Sequence, residues 1–293
     1  MPLSAHTMPG SDKPLFLRLL AASLLTLASS TACAAAAGAQ PPQLGEEGQA
    51  QYQEFLAAPM HRAFAIAPGG AWGWSTARNA RQEAQAEALG RCQANTAHKC
   101  VLYGVDGQTV FDAKLWPTLW GPYRTAKEAQ RAPIGHELGQ RFPDLAFTAP
   151  SGVKSSVAAL RGKVAMLHFW GSWCGPCRRE MPDLQKLYEN IRGRKDVALV
   201  LLQVRERFNT SQRWVQGQGI DLPLFDSGAG DADSHLTLAG GAKLRDRDIA
   251  TNFPTTYVLD KHGIVIFSHT GPVERWPDYE PFIRDAAARS GSF

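Results

Sequence analysis

The chain has 293 residues, 44% of them hydrophobic and 20% charged, an ordinary globular composition with length for one or two domains and a substantial core. Its formal net charge of +4 is spread along the sequence without a long basic block, so nucleic-acid binding is not indicated.

Residues 1–39 read as an export signal peptide rather than as part of the fold. Lys13 and Arg18 supply positive charge, Leu19 to Ala28 is an apolar run too brief to span a bilayer comfortably, and small residues follow as far as Ala39. Two kinds of processing stay open. Cleavage after Ala37-Gly38-Ala39 releases a soluble chain beginning at Gln40. Alternatively, Ser30-Thr31-Ala32-Cys33 resembles a bacterial lipobox, although Ser30 stands where an aliphatic residue is usual, and lipid on Cys33 would tether the protein. No other stretch is long and apolar enough to cross a membrane.

Residues 40–53 are polar and rich in Pro, Gly and Gln, and read as a linker. A small α+β unit is expected over residues 54–112. Phe64 to Ala67 and Ala71 to Trp74 read as short strands around Pro68-Gly69-Gly70. Ala80 to Cys92 reads as a helix with Ala84, Ala88 and Leu89 on one face, and Cys100 to Tyr103 as a further strand. Cys92 ends that helix and Cys100 begins that strand, which in an exported chain is most simply a structural disulfide. His61 and His98 read as solvated loop or helix-end residues rather than ligands. Residues 113–134 form a connector whose aromatic, proline-rich stretch Leu115 to Tyr123 is expected to pack against the chain's own domains.

The last stretch, residues 135–293, carries the α/β pattern. Leu145 to Phe147 and Val153 to Ser155 flank a Pro150-Ser151-Gly152 turn and read as a hairpin. Val164 to Trp170 and Val197 to Val204 are apolar strands, and the helix between them makes a βαβ unit with an expected right-handed crossover. Pro182 is expected to kink that helix. A shorter helix follows over 211–218. Thr255 to Leu259 and Ile264 to Ser268 then form an antiparallel pair, and a helix over 279–288 closes the chain. The stretch 226–252, rich in Gly and Asp, reads as a specificity loop or a flexible insertion, and the acids near His235 have no metal-ligand spacing.

The chemistry lies where the first of these strands hands over to its helix, at Trp173-Cys174-Gly175-Pro176-Cys177. That placement sets Cys174 at a helix N-terminus, facing unpaired N–H groups and the positive end of the dipole, both of which favour a thiolate. Cys177 lies one turn further in, close enough to bond to Cys174. Gly175 lets the turn pass close, and Pro176 fixes φ where no N–H is needed. Half a zinc site would need a second close Cys/His pair, and Cys92 and Cys100 have the wrong spacing. Haem attachment would need His where Arg178 stands. An inert disulfide would need neither the strand before it nor the helix after it. The pattern points to redox chemistry.

The run from Phe169 to Pro182, with Trp173-Cys174-Gly175-Pro176-Cys177 at its centre, resembles the exported TlpA-like branch of the thioredoxin superfamily, which includes the cytochrome c maturation reductases. The match extends from about Gly135 to the C-terminus. It implies a thioredoxin-like fold, a central mixed sheet with helices on both faces. It also implies that Pro254 is the family's cis-proline lying against the dithiol, that the backbone of Phe253 pairs with the substrate strand, and that Gly271, after Thr270, forms a further wall of the groove. Trp173, Gly175 and Pro176 complete the substrate-binding surface by the same resemblance. His168 departs from the pattern, standing where the family usually has Asn or Asp. By strand alternation His168 and Trp170 share one face, and a buried, neutral His168 is expected to accept the proton that leaves Cys177. The small preceding unit resembles a domain of unknown function from secreted bacterial proteins.

The function expected from these residues is exported, periplasmic thiol:disulfide exchange serving cell redox homeostasis. Cys174 attacks a substrate protein disulfide and Cys177 resolves the mixed disulfide. No metal and no organic cofactor is called for. The resemblance implies a membrane thiol carrier as electron donor and apocytochrome c as a substrate. Two alternatives stay open: a disulfide oxidant or isomerase, separable by the reduction potential, and a partner-binding adaptor in which the dithiol is secondary.

Overall fold

The computed structural model describes residues 40–76, 79–231 and 235–291, so the expected signal peptide over 1–39, with both expected processing sites, lies outside the described residues. Among the described residues a four-stranded and a five-stranded sheet each have their own core, two two-stranded sheets accompany them, and all belong to one compact unit.

The first sheet follows helix α1, Glu46–Ala57, and contains β1 (Ala63–Ile66), β2 (Trp72–Ser75), β3 (Val101–Val105) and β4 (Gln108–Thr109). Helix α2, Arg81–Gln93, lies between β2 and β3 in the chain. The strands are antiparallel in the order β2-β1-β3-β4. Period-2 alternation sends Ala63 and Ala65 toward Ala84, Ala88 and Cys92 of α2, and Phe64 and Ile66 toward Tyr52 and Phe55 of α1. Gly73 is required by this packing, since a Cβ there would lie 2.4 Å from the Cys92 backbone nitrogen.

Two expectations are corrected in this half. The linker expected over 40–53 is largely helical, because Tyr52 and Phe55 bury against Phe64 and Tyr103 and Gln51 accepts a hydrogen bond from Trp74 Nε1. Tertiary contacts therefore override the weak helical signal of a polar sequence. His98 is buried rather than solvated: its ring stacks on Phe267 at 5.3 Å and lies 5.8 Å from Trp120. Burial, with His269 nearby, lowers its pKa to about 4. In the connector Trp116 and Trp120 are buried, the latter stacked on Phe282.

Cys92 and Cys100 are joined by a disulfide that ties α2 to the start of β3. Replacing both by Ser should lower stability by about 2–3 kcal/mol, as expected for so short a closed loop. Denaturant unfolding of the double variant measures this, and an unchanged midpoint would mean the bridge contributes nothing.

After helix α3 (Ala126–Arg131) come the hairpin β5 (Ala146–Thr148) and β6 (Lys154–Ser156), then β7 (Val164–Trp170), α4 (Gly175–Ile191), β8 (Val197–Gln203), α5 (Phe208–Gly217) and β9 (Leu224–Phe225). The 226–252 stretch is not featureless: β10 (His235–Thr237) and β11 (Lys243–Arg245) pair within it. The chain ends with β12 (Thr255–Leu259), β13 (Val265–Thr270) and α6 (Glu280–Arg289). The main sheet has the order β13-β12-β7-β8-β9, with β12 antiparallel to both neighbours and β7, β8 and β9 parallel.

Every residue of β7 is buried, as a central strand covered on both faces requires. Val164, Met166 and Trp170 join the core beneath α4 and α6, while Ala165, Leu167 and Phe169 join the core on the opposite face. His168 falls by alternation on the α4 side, with Trp170.

Candidate active site

The turn between β7 and α4 is built by side chains as well as by its backbone. Ser172 donates from its backbone N–H (2.7 Å) and its hydroxyl to the buried Glu206 carboxylate, which also accepts from Ser211 Oγ at 2.7 Å. Trp173 Nε1 donates to the Val204 carbonyl at 2.9 Å, so the indole is fixed although Trp173 is 48% exposed. Cys174 is the N-cap of α4, and its Sγ accepts the Cys177 N–H at 3.2 Å. Pro176 lies in the first helical turn, where its missing N–H costs nothing.

Cys174 and Cys177 form a disulfide with their Cα atoms 5.3 Å apart. Cys174 is 5% exposed and Cys177 not at all. Reduction would leave Cys174 Sγ facing an N–H donor and the helix N-terminus, which favours negative charge on that sulfur.

The cleft in front of the dithiol is assembled from three further segments. The Phe253–Pro254 peptide is cis, and the Phe253 carbonyl oxygen lies 3.4 Å from Cys174 Sγ. Gly271 donates its N–H to the Pro254 carbonyl at 2.8 Å, with φ of 104°, a conformation that disfavours any side chain. The Phe253 ring stands edge-on to Trp173 at 6.0 Å and carries the Arg205 guanidinium 5.6 Å from its centroid. Two hydrogen bonds from Arg205 to the buried Asp246 fix that guanidinium. Asp246 belongs to the 226–252 stretch, which therefore helps shape the cleft wall.

Behind the dithiol lies a buried pair. His168 is fully buried; its Nδ1 is 2.9 Å from Thr256 Oγ1 and its Nε2 is 3.4 Å from Glu180 Oε1. Glu180 Oε2 accepts from the Val273 N–H at 2.9 Å and from Trp276 Nε1 at 3.1 Å. Burial raises the Glu180 pKa to about 8 and lowers that of His168 to about 3, so both side chains are mainly neutral at pH 7. Oε2 is occupied by two donors, whereas among the described residues Oε1 has no hydrogen-bond partner and faces the equally unpartnered His168 Nε2. Glu180 is three residues beyond Cys177 on the same face of α4.

Trp173, Phe253, Pro254 and Gly271 are thus linked around Cys174, Gly175 and Pro176 form the first turn of its helix, His168 meets Glu180 on the inner face of α4, and Cys92–Cys100 lies in the other sheet's core. Glu180, Arg205, Glu206 and Asp246 were not singled out from the sequence. The signal for Glu180 was its spacing from Cys177; the others are joined only by the fold.

Comparison with known proteins bears on this cleft directly. Residues 137–282 match the Redoxin family model. Thioredoxin-like protein YneN of Bacillus subtilis is 29% identical over 160 residues, covering 54% of this chain and 84% of that protein. Thiol-disulfide oxidoreductase ResA of Halalkalibacterium halodurans is 31% identical over 133 residues, 45% of this chain and 68% of the relative. A thiol:disulfide interchange protein of Chlorobium tepidum TLS aligns in structure with a TM-score of 0.36 and 24% identity, covering 50% of this chain and 97% of that one. With a Cys-Gly-Pro-Cys disulfide at a helix N-terminus and this degree of likeness to ResA, the chain belongs to the TlpA-like thiol-disulfide oxidoreductases of the thioredoxin fold.

Proposed function

We propose that the protein is an exported reductant of protein disulfides, with Cys174 as the attacking and Cys177 as the resolving residue. The observation that carries this reading is the asymmetry of the pair: Cys174 Sγ lies 3.4 Å from the Phe253 carbonyl at the helix N-terminus, whereas Cys177 is fully buried, one helical turn before Glu180.

The Cys174 thiolate attacks one sulfur of a substrate disulfide; the other substrate sulfur leaves as a thiolate and takes a proton from solvent. The Cys177 thiol then loses its proton to the ionised fraction of Glu180; His168, the acceptor expected from the sequence, is too weak a base once burial lowers its pKa to about 3, and it orients Glu180 instead. The Cys177 thiolate attacks Cys174 Sγ, forming the enzyme disulfide and expelling the second substrate sulfur as a thiolate that takes a proton from solvent, so that two electrons have passed to the substrate. A carboxyl with a pKa near that of a thiol makes this transfer close to isoenergetic. The cis Phe253–Pro254 segment presents backbone groups to the substrate strand, and Trp173 supplies an exposed apolar wall.

An exported reductant is reoxidised at each turnover and requires electrons from across the membrane, so a membrane thiol carrier is the fitting donor. Among the described residues no helix is long and apolar enough to cross a membrane. Apocytochrome c, with its paired cysteines, is the substrate implied by the resemblance to the cytochrome c maturation reductases. The N-terminal signal supports a periplasmic location, and intact-mass analysis should find a chain starting near Gln40 or lipid on Cys33. Recovery of the full-length chain from the cytoplasm would refute export. For the dithiol itself, brief alkylation of reduced protein at neutral pH should modify Cys174 first; preferential labelling of Cys177 would reverse the roles.

A further inference from the structure

Between β13 and the 3₁₀ turn Trp276–Tyr279 runs a short strap, Gly271 to Trp276, fastened on two sides. On its inner side, Val273 N–H and Trp276 Nε1–H both donate to Glu180, and Trp276 N–H donates to Asp183 of the same helix at 2.5 Å. On its outer side, Glu274 accepts the backbone N–H of Glu46, the first residue of α1, at 2.6 Å. Gly45, the N-cap of α1, offers no side-chain cap, so Glu274 supplies one from the strap. A second attachment lies close by. His269 at the end of β13 is hydrogen-bonded to the Pro272 backbone and stacks on Phe267, the ring that His98 and Gly69 also cover. The strap benefits from such support, because Arg275 (φ 60°) lies in the left-handed region, a costly conformation for a residue with a side chain.

We propose that the N-terminal sheet and its helices act on the dithiol as a clamp: through Glu274 they hold the strap against α4, fix how deeply Glu180 is buried, and so set when Cys177 can lose its proton. This rests on the role given to Glu180 above, and Glu274 is a positioning residue that acts through it. The titratable groups facing Glu180 are His168 from β7, Cys177 and Asp183 from α4, and Tyr279 from the turn after the strap. Glu274 meets the first turn of α1, which also carries the Glu46 and Glu47 carboxylates. For Glu180, burial outweighs the two N–H donors that oppose it. A loosened strap that admits water therefore moves its titration toward the ordinary carboxylate range.

The test uses the full chain in its oxidised form, where no thiol titrates. The Glu180 carboxyl carbon is followed by NMR against pH, its resonance assigned by its loss in Glu180→Gln. Three variants are compared with wild type. Glu274→Ala removes the acceptor. Gly45→Ala displaces it from the other side, since a Cβ at Gly45 would lie 2.5 Å from Glu274 Oε2, and this variant serves if Glu274→Ala fails to fold. Glu274→Gln keeps an acceptor oxygen. The Glu180 midpoint should fall by about half a unit or more in the two alanine variants and stay near the wild-type value in Glu274→Gln. The pH profile of mixed-disulfide resolution should move by the same amount. An unchanged midpoint in folded Glu274→Ala and Gly45→Ala, or an equal shift in Glu274→Gln, overturns the clamp. If Glu180→Gln resolves mixed disulfides at the wild-type rate, the proton role of Glu180 is lost and with it the consequence for Cys177, whereas the midpoints judge the clamp separately.

Discussion

Cys177→Ser is expected to abolish turnover while leaving attack on the substrate intact. Disulfide reduction should fall by about three orders of magnitude or more, because no other route returns Cys174 to a productive state at a comparable rate. The variant should accumulate as a mixed disulfide through Cys174, one substrate per chain, visible by non-reducing electrophoresis and by mass. Cys174→Ser should be equally inactive but form almost no adduct, since Cys177 has no exposed surface and sits behind the first turn of α4. The two variants separate attack from resolution. Adducts through Cys177 in Cys174→Ser would break the assignment, and normal turnover by either variant would show that the Cys174–Cys177 pair is not the reacting centre. The trapped partners would also name the substrates, apocytochrome c among them.

The dithiol and its setting were legible in the sequence because each rests on a strong local signal. The apolar run Val164 to Trp170 can only be a strand covered on both faces, and the amphipathic stretch after it can only be a helix. Two cysteines at that junction leave little freedom, and Pro254 before Thr255-Thr256-Tyr257 marks the facing wall. What was illegible depends on contacts far apart in the chain. Helix α1 buries few residues, and its polar composition reads as a linker until Tyr52 and Phe55 meet Phe64 and Tyr103. His98 looks like a solvated loop residue until Phe267, far along the chain, covers it. Glu180 follows Arg178 and Arg179 and reads as one more charge on a solvent face. Helical geometry nevertheless turns Arg178 and Arg179 outward and Glu180 inward with Cys177. The short strands β10 and β11 have too few residues to show a period, and the use of their loop in placing Asp246 on Arg205 is purely tertiary.

Glu180→Gln should slow resolution of the mixed disulfide and, in the same protein, remove an alkaline loss of stability. The amide keeps the shape and can still accept from Val273 and Trp276, but it cannot take the Cys177 proton. The resolution rate should fall by about a hundredfold, the lower range for loss of a general base. In wild type the rate should rise between pH 6 and 8 as Glu180 ionises, and Glu180→Gln should lose that rise. The stability effect follows from the same proton. Glu180 titrates at about 8 when folded against 4.5 for an ordinary carboxyl, so the folded state holds the extra proton between those values. Its contribution is fully present below about pH 4.5, declines as pH rises, and is lost above about 8, a change on the order of 5 kcal/mol. His168 works in the opposite sense. Its folded value of about 3 lies below the ordinary 6.5, so its contribution is present above 6.5 and is lost as pH falls toward 3. The pair alone therefore gives a plateau between about pH 4.5 and 6.5 with a loss on either side. His98, lowered to about 4, deepens the acid side, and Asp260, raised by burial, adds to the loss with rising pH. The measurement that isolates Glu180 is thus the difference between variant and wild type, by denaturant unfolding of oxidised protein from pH 5 to 8.5. Glu180→Gln should gain on wild type steadily across that range, while His168→Asn should remove part of the acid loss and leave the alkaline one. A difference between Glu180→Gln and wild type that stays constant with pH would mean that Glu180 is ionised in the fold, and that the Cys177 proton goes elsewhere.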